Sequence, residues 1–339
     1  MWYHNELVAY YPTPHSKKHR NHSSNSQTNA RELPCEYIMA LSPNTWDESV
    51  VIEYEKRVES FTASFVDELL QPFLDESSRG TDEATRTAKT LLDVGCGTGC
   101  VSIAARRAGY AVTATDISAG MVRRLEQRCA EESRNSPTST QPIRTIVSDG
   151  MSLPDSLYNQ FDYAVGSFSI IFFPNPKRGL QSIYDCLRPG GQVAISAWGN
   201  EAETPAFRIF PDSIKQVAPS LAQHGKPRRI TGSPQTLTEL LSGSGFRSIS
   251  VRGPITRTLR VPSAEAYYDR FAKGSPNIKA LLSKLDPQGE ERLKSKVMEL
   301  AVDRGGVRLS DDTLGRPQSK FTAVPIEIPS SAYFAYGTK

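Results

Sequence analysis

The sequence predicts an α/β fold in which a mainly parallel sheet carries helices on both faces. Three observations lead to it. Short apolar stretches alternate with helical periods from Leu91 to Val251. The apolar run Leu91-Leu92-Asp93-Val94 passes directly into a glycine-rich turn, Gly95-Cys96-Gly97-Thr98-Gly99, and then into a helix-forming segment. Pro189-Gly190-Gly191 releases one helix and starts a new strand at Gln192.

The elements follow in order. Residues 1 to about 40 are polar with little apolar periodicity and read as a disordered extension. Met39 opens a more ordinary N-terminus, so residues 41–339 read as one domain. From Trp46 to Leu74, Val50, Val51, Tyr54, Val58, Phe61, Phe65, Leu69 and Leu70 recur at three- and four-residue spacing. That is an amphipathic helical cap over 45–74, with Asn44 or Thr45 as its N-cap and Pro72 at its end. Strands are expected at Leu91–Val94, Tyr110–Thr115, Ile143–Val147, Phe161–Val165, Gln192–Ala197, Phe246–Val251 and 331–337. Helices fill Thr98–Ala108, the segment after Ser118, Lys177–Leu187 and Gln235–Leu241. Two helical stretches, 200–233 and 262–307, each follow the carboxyl end of a strand, where ligands bind in open α/β sheets, and read as lids.

Composition narrows the function. The net charge is +3 with both signs dispersed, which leaves no electrostatic footprint for nucleic acid. No apolar run is long enough for a membrane span and no signal peptide opens the chain, so the expected location is the cytoplasm. Mitochondrial import is the alternative, because the first thirty residues hold a single acid, Glu6. The five cysteines, Cys35, Cys96, Cys100, Cys129 and Cys186, show neither disulfide nor zinc-ligand spacing. No metal is expected.

Glycines in the first turn let a ligand lie against the backbone, and the helix N-terminus behind them favours an anionic group. The spacing is G-x-G-x-G, with Cys100 where the last glycine of a dinucleotide fingerprint would fall. Asp93 would repel a pyrophosphate but suits a ligand carrying a cation. Asp116 stands 23 positions after Asp93, where a carboxylate can take two ribose hydroxyls at once. A ligand with an amino group, a carboxylate and a ribose uses all of these features.

The stretch Leu91–Gly99 resembles motif I of the class I, Rossmann-like S-adenosylmethionine-dependent methyltransferases, and Leu187-Arg188-Pro189-Gly190-Gly191 resembles that family's approach to its fifth strand. The resemblance covers about Leu91 to Trp198. It implies a seven-stranded sheet, six strands parallel and the last antiparallel, and S-adenosyl-L-methionine as cofactor. It places Asp93, Gly95, Cys96, Gly97, Gly99, Asp116, Ile117, Met121, Asp149, Gly150, Met151 and Ser167 around that cofactor, with Asp149 on the adenine amine. Base-methylating relatives carry Asn/Asp-Pro-Pro-aromatic after the fourth strand; here Ser167-Phe168-Ser169-Ile170 stands instead, which argues against nucleic-acid substrates. Tyr54, Phe168, Phe172, Trp198, Phe207 and Phe210 are candidates for a small-molecule pocket. The nearest patterns are methyltransferases of the ubiquinone-biosynthesis type and fungal thiol S-methyltransferases.

His224 is the sole histidine outside the N-terminal extension and the one candidate histidine base. That scarcity favours an acceptor that ionises on its own, a thiol first, with N-, O- or C-methylation as alternatives. A cofactor-binding regulatory protein without activity and a nicotinamide oxidoreductase are the competing classes.

Overall fold

The computed structural model describes residues 46–77, 88–135, 141–222, 232–307 and 324–339. The N-terminal extension, Met39, Asn44, Thr45 and His224 lie outside the described residues.

Seven strands form one sheet: β1 (Thr90–Val94), β2 (Ala111–Asp116), β3 (Arg144–Val147), β4 (Phe161–Gly166), β5 (Leu187–Trp198), β6 (Arg247–Val261) and β7 (Ile326–Thr338), in the order β3-β2-β1-β4-β5-β7-β6. The pairs among β1 to β5 are parallel, while β7 runs antiparallel to both β5 and β6. Six strands thus share one direction and the last opposes them. Strand order reverses between β1 and β4, so the loops leaving these two strands part and open a crevice at their carboxyl ends. Successive residues of β1 face opposite layers: Leu91 packs with Phe65, Leu69 and Phe73, and Leu92 packs with Leu180, Ile183 and Leu187.

The N-terminal cap comprises α1 (Glu48–Tyr54), a π-helical turn (Glu55–Glu59), α2 (Ser60–Ala63) and α3 (Val66–Ser77). Asp47 caps α1 by accepting from the Val50 N–H at 3.0 Å. Pro72 lies inside α3 instead of ending it. A proline there removes the N–H that would bond the carbonyl four residues back. That carbonyl, Glu68 O, accepts instead from the Tyr336 hydroxyl at 2.6 Å, so the helix continues at little cost.

The remaining helices are α4 (Cys100–Arg107), α5 (Ala119–Asn135), α6 (Pro176–Cys186), α7 (Ile209–Val217), α8 (Pro219–Ala222), α9 (Pro234–Ser242), α10 (Ala264–Gly274), α11 (Pro276–Leu282) and α12 (Pro287–Gly305). Strands β6 and β7 are longer than the expected Phe246–Val251 and 331–337. Beyond the sheet they pair from Ile255↔Ala332 to Val261↔Ile326 as a two-stranded ribbon. Leu259, Ile326 and Ile328 on this ribbon are buried in the same cluster as Leu293, Val297 and Ala301 of α12, which gives the extension an apolar reason to form. Arg304 of α12 pairs with Asp212 of α7 at 2.8 Å, and the buried Tyr267 hydroxyl donates to the Ala206 carbonyl. The two helical insertions therefore pack as one layer. The N-terminal cap joins it through Arg57–Asp269 at 3.9 Å and Lys279–Asp47 at 3.8 Å.

Candidate functional site

The glycine turn is tied to the end of β2. Both the Gly95 and Cys96 N–H groups donate to Thr115 O, at 2.8 and 2.9 Å, and the Gly97 N–H donates to Asp116 Oδ2 at 2.9 Å. Asp116 Oδ1 accepts from the Ser118 N–H at 2.9 Å, and the Ser118 hydroxyl in turn caps α5 by accepting from Met121 N–H at 3.2 Å. Asp116 is therefore both a turn anchor and a carboxylate whose two oxygens each keep accepting capacity.

The three glycines differ in what surrounds them. A Cβ on Gly99 would lie 2.2 Å from Leu125 Cδ1 and one on Gly95 2.4 Å from Ser169 Cβ, so close packing demands both. A Cβ on Gly97 would meet nothing within 4 Å, yet the residue holds φ +54°. Gly97 is the open face of the turn, where a ligand can approach the backbone.

Asp93 is 1% exposed beneath the turn. The Ser102 hydroxyl donates to its Oδ2 at 2.6 Å, while Oδ1 is buried without a partner. Burial pushes the Asp93 pKa up to about 7, with the neighbouring Asp116 charge adding to it. Burial also raises the pKa of Asp116, against the N–H groups that stabilise its anion. Among the described residues neither carboxylate has a cationic side chain paired with it.

The π-helical turn places Glu59 against this region. Glu59 Oε1 accepts from the Thr98 hydroxyl at 2.7 Å and from Arg128 at 2.5 Å, and Arg128 also donates to Thr98 O at 2.9 Å. Glu59, Thr98 and Arg128 thus lock cap, glycine turn and α5 together. Tyr54, half-buried, stacks edge-on against Trp46 at 5.4 Å, and burial raises its pKa, helped by the charges of Cys100, Glu59 and Asp116.

Beside the turn, a cleft of about 490 Å³ is bordered by Trp46, Ile117, Val147, Ser148 and Asp149. Asp149 Oδ1 accepts from the Met151 N–H at 2.9 Å, an Asx turn that directs the loop. Gly150 is a packing glycine, since a Cβ there would lie 2.4 Å from the Phe173 ring. Met121 is a buried core residue.

At the end of β4, Ser169 donates to Val94 O at 2.6 Å and the Phe168 N–H donates to the Ser196 hydroxyl at 2.9 Å. Phe168 holds φ +52°, a conformation that side chains with a Cβ seldom take, beside the half-buried Ser167. Its ring stacks on Trp198 at 4.0 Å, and Trp198 meets Phe61 at 5.7 Å and Phe207 at 4.8 Å. Phe210 sits 5.5 Å from Tyr268 and 5.8 Å from Phe271. The structure thus brings Phe168, Trp198, Phe207 and, through Phe271, Phe210 into one packed aromatic cluster, the aromatic box, over the ends of β4 and β5. Phe172 is apart from it, 44% exposed on the surface, because the short turn Ile170–Phe172 directs it outward. The sequence reading missed Phe61, Glu59 and Arg128 as residues of this region. Phe61 and Phe65 were visible only as an i, i+4 apolar pair.

No cluster of metal-ligating side chains occurs among the described residues, and no helix there is long and apolar enough to cross a membrane. Residues 92–195 match a protein-family profile described as a methyltransferase domain. An uncharacterised protein of Mycobacterium tuberculosis is 24% identical over 191 residues, a match covering 56% of this chain and 65% of that protein, so the chain spans less than two thirds of that relative. A demethylmenaquinone methyltransferase of Clavibacter sepedonicus is 28% identical over 196 residues, covering 52% of this chain and 76% of its own. Among solved structures, a phosphoethanolamine N-methyltransferase of Haemonchus contortus aligns with a TM-score of 0.45 at 16% identity, over 88% of this chain and 59% of that one.

Proposed function

We propose that this chain, whose residues 92–195 are a class I S-adenosylmethionine-dependent methyltransferase domain, moves a methyl group from that cofactor to a small molecule held in the aromatic box. The observation that carries this reading is the pair of carboxylates, the buried Asp93 and the half-buried Asp116, at a glycine turn with no described cation paired with them. An unpaired anion in a low-dielectric setting is costly, and two neighbours worsen it. A cation-bearing ligand relieves both, whereas a dinucleotide pyrophosphate would add repulsion.

The residues present fit the cofactor. Asp116 takes the ribose hydroxyls with its remaining lone pairs, Gly97 gives the ligand access to the backbone, and Asp149 with Ile117 lines the adenine cleft. Asp93 sets the negative potential beneath the turn, and Ser167 lies where the amino-acid end is expected. Bound there, the cofactor supplies an electrophilic methyl on a positively charged sulfur. The chain's own work is to align an acceptor lone pair and exclude water, which the aromatic box and the helical layer above it can do.

Phe61, Phe168, Trp198, Phe207 and Phe210 carry no base, and His224 is the sole histidine outside the N-terminal extension. We therefore rank an acceptor that ionises unaided, a thiol, first. A phenol of quinol type is the second reading, favoured by the name of a ubiquinone-biosynthesis O-methyltransferase of Coxiella burnetii, 23% identical over 172 residues. Calorimetry with S-adenosylhomocysteine and with NAD tests the cofactor, and NAD binding in preference would overturn it. Labelled S-adenosylmethionine with matched panels of thiols, amines and phenols tests the acceptor. Phenol turnover lost in His224→Ala, with thiols untouched, would reverse the ranking.

A further inference from the structure

Arg270 stands on α10 with aromatic neighbours Tyr267, Tyr268 and Phe271 along the same helix. It is 7% exposed, a depth at which arginine is seldom found without a carboxylate. Here its Nη2 donates to the Val58 carbonyl at 3.1 Å, a neutral partner, and its guanidinium carbon lies 5.9 Å from the Phe61 ring centre. Among the described residues no Asp or Glu pairs with it. Burial draws its pKa down to about 10, with the Tyr267 and Tyr54 hydroxyls opposing the shift, so it stays charged at neutral pH.

Its position connects it to the site. Phe61, under the guanidinium, is parallel to Trp198 within 4°, and Trp198 stacks on Phe168 at the end of β4. Val58, whose carbonyl the guanidinium meets, precedes Glu59, which accepts from the Thr98 hydroxyl of the glycine turn. The guanidinium therefore borders the aromatic box from the helical layer, on the side of the glycine turn. Carbonyl and ring neighbours orient a guanidinium without neutralising it, and its fork matches a carboxylate in two-point contact.

We propose that Arg270 receives a carboxylate carried by an aromatic acceptor, which makes the substrate class of the methyltransferase reading, on which this rests, an aromatic acid. The ring of the acceptor packs against the aromatic cluster of Phe61, Trp198 and Phe207, and the anion meets the buried guanidinium beside Phe61. The cofactor's own carboxylate is the other source of the same chemistry, and the test separates the two.

The probes are naphthalene-2-carboxylate and its neutral isostere naphthalene-2-carboxamide, titrated calorimetrically into the full chain, free and saturated with S-adenosylhomocysteine. The carboxylate should bind the saturated protein about tenfold or more tightly than the amide, as expected for loss of a charge-assisted pair. Arg270→Gln should erase that preference, Arg270→Lys should keep part of it, and both should leave S-adenosylhomocysteine affinity unchanged. Equal binding of acid and amide, no binding of the acid, or a tenfold loss of S-adenosylhomocysteine affinity in Arg270→Gln each overturns the proposal; the last would give the guanidinium to the cofactor. The acid–amide comparison in the unaltered chain decides the matter even where Arg270→Gln fails to fold. Failure of S-adenosylhomocysteine to bind the unaltered chain strikes the methyltransferase reading instead, and the same comparison on the free protein still reads the anion site.

Discussion

Gly97 and Gly99 sit two residues apart in the same turn, and their surroundings predict opposite consequences for the same change. Gly99→Ala adds both a left-handed φ of +96° and a carbon 2.2 Å from Leu125, so it should cost about 3 kcal/mol or more of stability. Gly97→Ala carries only the conformational cost, about 1–2 kcal/mol, because its Cβ meets no protein atom. Thermal melts should thus rank Gly99→Ala well below Gly97→Ala, while calorimetry shows the folded Gly97→Ala losing affinity for S-adenosylhomocysteine. An unchanged affinity would remove Gly97 from the ligand's path. Asp93 makes a prediction about pH. Its pKa of about 7 in the fold exceeds the usual 3.8, so its ionised form is disfavoured and its contribution weakens the free protein as pH climbs through that interval, then levels off. A cationic ligand favours the ionised form. Affinity for S-adenosylmethionine should therefore grow with pH up to about 7, with proton release on binding below it, and Asp93→Asn should flatten the profile. Asp116→Ala should weaken the cofactor about tenfold or more and also lower the melting temperature, because the Gly97 and Ser118 N–H groups lose their acceptor.

Helix α3 shows what local sequence signals leave out. A proline in the middle of a helical period reads as a stop, yet Pro72 is accommodated because the carbonyl it strands is met by Tyr336, 268 positions from Glu68 along the chain. Only the folded sheet brings them together. Tyr336→Phe should leave Glu68 O without its partner and cost about 1–3 kcal/mol. Adding Pro72→Ala restores an N–H inside the helix, so the double variant should recover much of that loss. Denaturant melts of the four proteins in the cycle test this, and additive losses would dismiss the compensation. The acids Asp93, Asp116 and Asp149 were legible because their places follow from strand ends and short spacings. Glu59 and Arg270 were not, since each lies in an ordinary-looking helical stretch and acquires its meaning from elements distant in sequence. The π-helical turn is the clearest case: it rotates Glu59 onto Thr98 and Arg128, and nothing in Glu55-Lys56-Arg57-Val58-Glu59 announces it.

Across the whole molecule, the parallel strands and their helices were readable from alternation and the antiparallel last strand from the resemblance, while the union of the cap with the two insertions was not, because periodicity marks which face of a helix is apolar but not what it meets. In the structure, chain from before β1, from after β5 and from between β6 and β7 meets above one edge of the sheet. The Val261↔Ile326 pair closes the base of the third of these contributions. The described helices from Ala264 to Gly305 thereby branch from the scaffold at that seam. Such a seam is a natural graft point. On the proposed reading, a segment exchanged there would replace the helices beside the aromatic box, Arg270 included, while leaving the carboxylates at the turn in place.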